Sequence, residues 1–455
     1  MVRAQSLILK KVLEKIVPNS DEEKKLREFI RNLVTVARLK SGLDAIVVGS
    51  IGKGTWLSGD HDIDLFLIFP KSTSREELEE KGLDYGKKIV KELGGDLWIK
   101  YAEHPYTHAI INNYDVDIVP CYKTISGEKI ISAVDRSPHH LEFVISNLKA
   151  DMVNEVRLLK QFMKGIGVYS SDAKNLGFSG YVCEILIIKY GSFKSVLKTA
   201  SKWSVPQIIT DSKKQAKKFR EPLVIIDPVD KERNAAAVVS SENLIKFINA
   251  SKNFLKEPDI EYFFPQKKEL NEKEIEKLKD RGTNFVAITF AKPDVIDDIL
   301  YPQLRKLTNR LENLLKENEF IPIKSSFVVC EKKIILVLEM EVWSLPNIKK
   351  MVGPPVFSAR HSREFLTKYK NAEYGPMLEG DNWIIEKKRE YKTATDLLEK
   401  FFCKEPDELM KLGVPSKLAD VLFNSRVLEG DDFWKLLENK ELSIFLKEKY
   451  FQRLV

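Results

Sequence analysis

Apolar residues along this chain follow two rhythms. Over "SLILKKVLEKI" they return every third or fourth position, so Leu9, Val12, Leu13 and Ile16 share one side of a helix. A second helix is expected over "NSDEEKKLREFIRNLVTVARL", with Asn19 or Ser20 as its cap. The rhythm then changes. "AIVVGS" reads as a short buried strand and "IDLFLIFP" as a longer one ended by Pro70. A helix follows over about 74–93, and "DLWIKYAEHPYTHAIINNYDVDIVPCYK" gives two or three strands, the last being "VDIVPCY". That order makes a mixed α/β layer.

From "SPHHLEFVISNL" to about residue 200 the pattern is helical, after which "EPLVIIDPVD" adds a strand and "SSENLIKFINASKNFL" a helix. The stretch "QKKELNEKEIEKLKDRGTN", residues 266–284, is almost without apolar side chains and marks a boundary. Beyond it "FVAITFA", a helix over about 294–317, "SFVVC" and "KIILVLEMEVW" spell β-α-β-β, which suits a small antiparallel sheet with a helix on one face. The remainder, from "GPPVFSARHSREFLTKYK", mixes short basic segments with helices.

With 455 residues, 43% of them apolar, the chain can form several domains with real cores. No apolar run approaches the roughly 18 residues needed to cross a bilayer, and lysines interrupt the N-terminal apolar positions, unlike a secretory signal. Cys121, Cys183, Cys330 and Cys403 lie far apart without CxxC spacing, which points to reduced thiols in a cytoplasmic protein and away from a zinc site. A net charge of +7 is compatible with a nucleic-acid partner. Charged residues at 31% would suit a heat-adapted protein.

The chemistry concentrates in "GSIGKGTWLSGDHDIDLFLIFP". Aspartate is a poor strand former, yet Asp62 and Asp64 lie two apart in a strand and so project from one face, with Ile63 and Leu65 on the other. Asp60 joins them only if the strand begins before the "GDH" turn. Side-by-side carboxylates repel unless a cation lies between them, and hard oxygen ligands at this spacing suit magnesium. Read alone, such a D-x-D is a solvated strand end. Upstream, Gly49 and Ser50 end a strand, where backbone amides and a hydroxyl can cradle a triphosphate, with Lys53 adding a point charge. Downstream, "YDVDIVPCY" carries Asp115 and Asp117, and Asp117 sits between apolar neighbours. Three carboxylates on adjacent strands are what two-metal phosphoryl transfer requires.

The pattern G-S, eleven residues, D-I-D-L, then V-D-I-V resembles the nucleotidyltransferases built on a polymerase-beta-like head. Further blocks, "YAEHPYTH", "SAVDRSPHH", "NEVRLLKQFMK", "GFSGYVCEILI", "DPVDKERNAA" and "GPPVFSARHSREF", are similar to the archaeal-type (class I) CCA-adding tRNA nucleotidyltransferases, and they span about 47–370. The resemblance implies an α+β multidomain fold: a catalytic head over 1–138, a mostly helical neck over 139–265, a β-α-β-β body over 266–345 and a mixed α/β tRNA-binding tail over 346–455. Many archaeal members have Glu at the first carboxylate, where this chain has Asp62.

By the same resemblance Asp62, Asp64 and Asp117 bind Mg2+ and are catalytic. Gly49, Ser50, Lys53, His140, Lys160 and Tyr169 hold the triphosphate, and Arg233 reads the base of CTP or ATP. Taken from the residues alone, Arg157, Lys160 and Lys164 share the polar face of one helix and could be merely solvated, while Arg233 could instead pair with Asp227 or Asp230. Of His139 and His140, one is a phosphate donor and the other packs. Glu103 and His104 lie in a family-like block without an assigned role. The implied partners are tRNA, held at its acceptor stem and elbow, and a second copy of the chain. Candidate RNA contacts are Arg305, Lys306 and Arg310, and a second cluster of Arg360, Arg363, Lys368 and Lys370. The competing readings are a poly(A) polymerase or oligoadenylate-type enzyme, and a silent RNA-binding protein that kept the head as a scaffold.

Overall fold

The computed structural model describes residues 2–101, 103–125, 131–170, 175–209, 219–423 and 425–451. They fall into two compact units, Met1–Gln266 and Lys267–Arg453.

The first unit begins with helices Val2–Ile16 and Ser20–Ser41. Asn19 caps the second, its side chain accepting from the N–H groups of Asp21 and Glu22. Five strands follow: β1 (Asp44–Val47), β2 (Asp62–Phe69), β3 (Asp96–Tyr101), β4 (Pro105–Ile111) and β5 (Tyr114–Tyr122). They lie in the order β1-β2-β5-β4-β3. Only β2 and β5 run parallel; the other pairs are antiparallel. Helix Arg75–Leu93 crosses between β2 and β3, capped by Ser74.

Alternation decides the two faces of this sheet. Ile63, Leu65, Leu67, Val116 and Ile118 pack under Leu26, Phe29, Leu33, Leu78 and Ile89 of the two long helices. The opposite face is apolar only at one end, around Phe66, Val119 and Cys121, and carries the aspartates at the other. Helices Arg136–Asn147, Val153–Gly165, Gly180–Tyr190, Phe193–Ala200 and Ser241–Lys256 then form a mostly helical layer. Its core is rich in phenylalanine, with Phe162 meeting the rings of Phe193, Phe254 and Phe263 edge-on. Val12 and Ile16 of the N-terminal helix are buried in it. A parallel pair, β6 (Gln207–Ile209) and β7 (Leu223–Ile225), closes the unit.

In the second unit, β8 (Asn284–Ala291), β9 (Ile321–Val329), β10 (Lys333–Val342) and a late strand at Arg426–Glu429 form an antiparallel sheet. Helix Asp297–Glu317 covers one face through Leu304, Leu307, Leu311 and Leu315. The β-α-β-β expectation placed a helix on one face; the other face is covered as well, by Leu278, Phe433, Leu442 and Leu446. The polar stretch 266–284 itself contains helix Glu272–Lys279, capped by Asn271. A second antiparallel sheet of Ile348–Pro355, Tyr374–Glu379 and Asn382–Lys388 occupies the region read as basic segments and helices. Its prolines and lysines hide the period-two signal of a strand.

Candidate active site

Strands β2 and β5 pair in a register that sets Asp62 beside Asp115 and Asp64 beside Asp117. Adjacent strands lie about 4.8 Å apart, so these are lateral neighbours, and all four carboxylates share the face that Ile63, Leu65, Val116 and Ile118 turn away from. Asp60 precedes the strand and instead accepts from Lys164 at 2.6 Å. Burial pushes the Asp64 carboxyl up to about 6, the charges of Asp117 and Asp62 add to the rise, and Lys53 opposes it. Asp62 is raised as well, by burial first and then by Asp115, Asp60 and Asp117. The row therefore carries more negative charge than its surroundings neutralise, which a hard divalent cation relieves. Among the described residues no three acidic, His or Cys side chains converge on a single point as a ready cage. The donor set is nonetheless all oxygen, on one face, and open enough for shared waters, which fits magnesium better than zinc.

The turn beside this row is built to approach it. After β1 the chain turns at Gly49, whose φ is 62°, into the single helical turn Gly49–Gly52. Val48 N–H donates to the Asp64 carbonyl at 2.9 Å, tying the turn to the acidic strand. A Cβ on Gly49 would stand 1.9 Å from Asp64 Oδ2. Only glycine satisfies both the left-handed backbone and the space. Ser50 is half-buried in the same turn, its carbonyl accepting from Thr55 N–H at 2.9 Å.

Behind the turn lies a buried charge network. Lys53 pairs with Glu184 at 2.8 Å. Lys160, only 2% exposed, donates to the Thr55 carbonyl at 3.1 Å, to Thr55 Oγ1 at 2.9 Å and to Glu184 at 3.3 Å. Burial raises the Glu184 carboxyl, but the two lysines and Thr55 bring it below its usual value. On the same helix Arg157 is buried and donates to the carbonyls of Trp56 and Gly54, at 2.9 and 3.1 Å. A solvated basic face is thus excluded for Arg157 and Lys160: the helix grips the loop that leads into Asp62. Tyr169 and Lys160 flank Gly180, where an added Cβ would lie 3.0 Å from the Tyr169 hydroxyl and 3.5 Å from Lys160 Nζ.

His140 and Arg233 meet on one carboxylate. Asp227 Oδ2 accepts from Arg233 Nη1 at 2.6 Å and lies 3.0 Å from His140 Nε2. Burial would raise the Asp227 carboxyl, yet His140, the Val229 N–H and Arg233 together hold it near 2. Of the two partners considered for Arg233, Asp227 is the one taken; Asp230 pairs with Arg136 at 2.9 Å. His139 is the packing histidine, buried with Nε2 2.7 Å from Thr124 Oγ1. His104 is also buried, against the Pro120 carbonyl at 2.7 Å, and Glu103 accepts from Ser132 and Ala133. These two contacts hold the loop before β4.

One residue of the site escaped the sequence reading. His108 faces Asp117 across the β4–β5 hairpin, with Nδ1 2.6 Å from Asp117 Oδ1 and Nε2 3.1 Å from Asp115 Oδ1. The signal for it was the two-residue turn Asn112–Asn113, both at positive φ. Such a turn fixes hairpin register and so sets residue 108 opposite residue 117.

The basic candidates of the second unit divide by environment. Arg310 is tied to the Leu412 carbonyl at 2.6 Å and faces Glu317 at 3.3 Å. Arg305 is half-buried and Lys306 exposed. Arg360 is 86% exposed and, among the described residues, pairs along its own helix with Glu364 at 3.0 Å, and Arg363, Lys368 and Lys370 are exposed.

Family models match three segments: "Nucleotidyltransferase domain" at 23–140, "tRNA nucleotidyltransferase, second domain" at 154–264 and "CCA-adding enzyme, C-terminal domain" at 281–411. The CCA-adding enzyme of Methanosarcina mazei is 41% identical over 402 residues, covering 85% of this chain and 87% of the relative. That of Methanocaldococcus jannaschii is 42% identical, covering 80% and 84%. That of Methanoregula boonei is 35% identical, covering 96% and 93%. With the acidic row, the glycine turn and this similarity along nearly the whole length, the chain belongs to the CCA-adding enzymes, a family of tRNA nucleotidyltransferases.

Proposed function

We propose that the chain adds C, C and A in turn to the 3′ end of tRNA from CTP and ATP, releasing pyrophosphate at each step. The observation that carries this reading is Asp64 beside Asp117 in register, against a turn that only glycine can make. Asp62, Asp64 and Asp117 hold Mg2+, which when bound makes the 3′-hydroxyl a better nucleophile and neutralises the triphosphate. Asp117, steadied by His108, takes the proton from the 3′-hydroxyl as it attacks the α-phosphate. Amides of the Gly49–Ser50 turn and the Ser50 hydroxyl cradle phosphate oxygens. Lys53 and Lys160 face a single Glu184, so a positive charge remains behind the turn to balance the triphosphate. His140 and Tyr169 complete that grip, and Arg233 offers a planar donor fork to the base edge.

In this reading the regions 1–138, 139–265, 266–345 and 346–455 serve as head, neck, body and tail. Lys306, Arg360 and Arg363 contact tRNA phosphates at the acceptor stem and elbow, recognising A-form shape, and Arg305 and Arg310 support that surface. The enzyme works in the cytoplasm as a homodimer, a state that light scattering in solution tests directly. The activity is tested by incubating the protein with CTP, ATP, magnesium and a tRNA lacking its last three nucleotides. Extension that stops after C, C and A supports the proposal; long A tails contradict it.

A further inference from the structure

The two groups assigned to the triphosphate and to the base are physically linked. Tyr181 lies between them. Its ring stacks on His140 at 3.8 Å between centroids and 24° between planes. Lys53 Nζ sits 4.9 Å from the centroid of that ring. Its hydroxyl donates to Asp227 Oδ1 at 3.0 Å, and Asp227 Oδ2 in turn holds His140 and Arg233. A second acceptor position on Oδ1 is filled by Val229 N–H at 3.1 Å. Asp227 is fully buried, whereas the Arg233 side chain stays 35% exposed. One Arg233 N–H is thereby committed inward while the side chain still reaches the surface.

The 227–234 loop has fastenings besides this carboxylate, which itself accepts from Val229 N–H and Arg233. Asn234 already fastens the loop, accepting from Ile225 and Ala236 N–H at 2.9 and 3.0 Å and donating to the Leu223 carbonyl at 2.9 Å. Asp227 N–H also donates to the Arg233 carbonyl at 3.0 Å. A buried charge costs free energy unless its acceptor positions are used, and among the described residues the Asp227 carboxylate bonds, apart from Val229 N–H, to Tyr181, His140 and Arg233.

We propose that Asp227 and Tyr181 are positioning residues that couple the phosphate-side groups Lys53 and His140 to the base-reading Arg233, so that nucleotide affinity and base choice are set together. This rests on the proposed function for the roles of His140 and Arg233. Asp227→Asn keeps the shape but removes the charge, and Tyr181→Phe keeps the ring stack and removes the hydroxyl bond.

The experiment is calorimetric titration of CTP and of ATP, with magnesium, into the full-length protein and both variants. It is accompanied by ring 15N spectra of His140 and by the kcat and KM of C addition and A addition. The coupling predicts that Asp227→Asn binds both nucleotides about tenfold more weakly or worse, and Tyr181→Phe about threefold more weakly. His140 resonances shift in each, the KM for nucleotide rises more than kcat falls, and the ratio of C addition to A addition changes. Should Asp227→Asn fail to fold, Tyr181→Phe decides the matter. A folded variant with wild-type affinity, an unchanged C-to-A ratio and unmoved His140 resonances overturns the coupling. Wild-type protein that binds nucleotide without extending tRNA overturns the proposed function and leaves the coupling standing on its binding data.

Discussion

Gly49 and Asp64 leave no space between them: a Cβ on the glycine would lie 1.9 Å from the carboxylate oxygen Oδ2. The approach brings the amides of the turn against the acidic row, so phosphate and metal can share one site. Gly49→Ala must shift either the turn, already at positive φ, or Asp64. A misplacement of this size costs about 100-fold in rate. Single-turnover addition of CMP is expected to fall by at least that factor, while tRNA affinity by filter binding stays within about threefold.

The Asp64 carboxyl is pushed up from 3.8 to about 6. Between these values the unfolded chain releases a proton that the folded chain retains, so rising pH removes stability there, and the loss is complete above about 6. Two units correspond to on the order of 3 kcal/mol. In EDTA, Asp64→Asn is therefore expected to melt a few degrees above wild type at pH 7 and level with it near pH 4. Equal melting temperatures at both pH values contradict the assignment. Magnesium should raise the wild-type melting temperature and leave the variant nearly unmoved.

Glu184 stands between two lysines in the interior. Glu184→Ala leaves Lys160 with Thr55 and Lys53 with the ring of Tyr181, both buried without a counter-charge, a loss of about 3–5 kcal/mol. Glu184→Gln, which retains hydrogen bonds, should lose less. Denaturant unfolding of the two variants measures the difference, and an unchanged midpoint for Glu184→Ala excludes the network as a stabilising element.

Arg360 and Arg363 are exposed on one helix, whereas Arg310 is spent on the Leu412 carbonyl. If the first two neutralise phosphates, Arg360→Ala and Arg363→Ala each reduce the slope of log affinity against log salt by about 1. Arg310→Ala should instead lower the melting temperature and leave that slope unchanged.

These side chains differ in how far the sequence disclosed them. Asp62, Asp64 and Asp117 were legible because strand alternation fixes their face, and their apolar neighbours fix the strands. Register was the harder part. His108 is a single imidazole in "PYTHAII", and its place opposite Asp117 follows only if the Asn112–Asn113 turn is taken as the hairpin's centre. For Arg157 and Lys160 the sequence left a solvated face open, because a basic helix face looks the same whether it meets water or the carbonyls of another segment. The partners of Lys160 lie 105 residues away, at Thr55, and 24 residues away, at Glu184 on helix Gly180–Tyr190. Arg233 left two partners open, and only packing chose Asp227. The mixed α/β tail was anticipated as a class, but its strands within 348–388 were not located, because the lysines and prolines of "IKKMVGPP" and "YGPMLE" break the alternation that marks a strand.

The most direct measurement is the rate of nucleotide addition by Asp64→Ala to a tRNA lacking its last three nucleotides, set beside its affinity for that tRNA. The account predicts that addition falls by about a thousandfold or more while the dissociation constant for tRNA stays within about threefold. Addition near the wild-type rate, or equal loss of addition and tRNA binding, contradicts it.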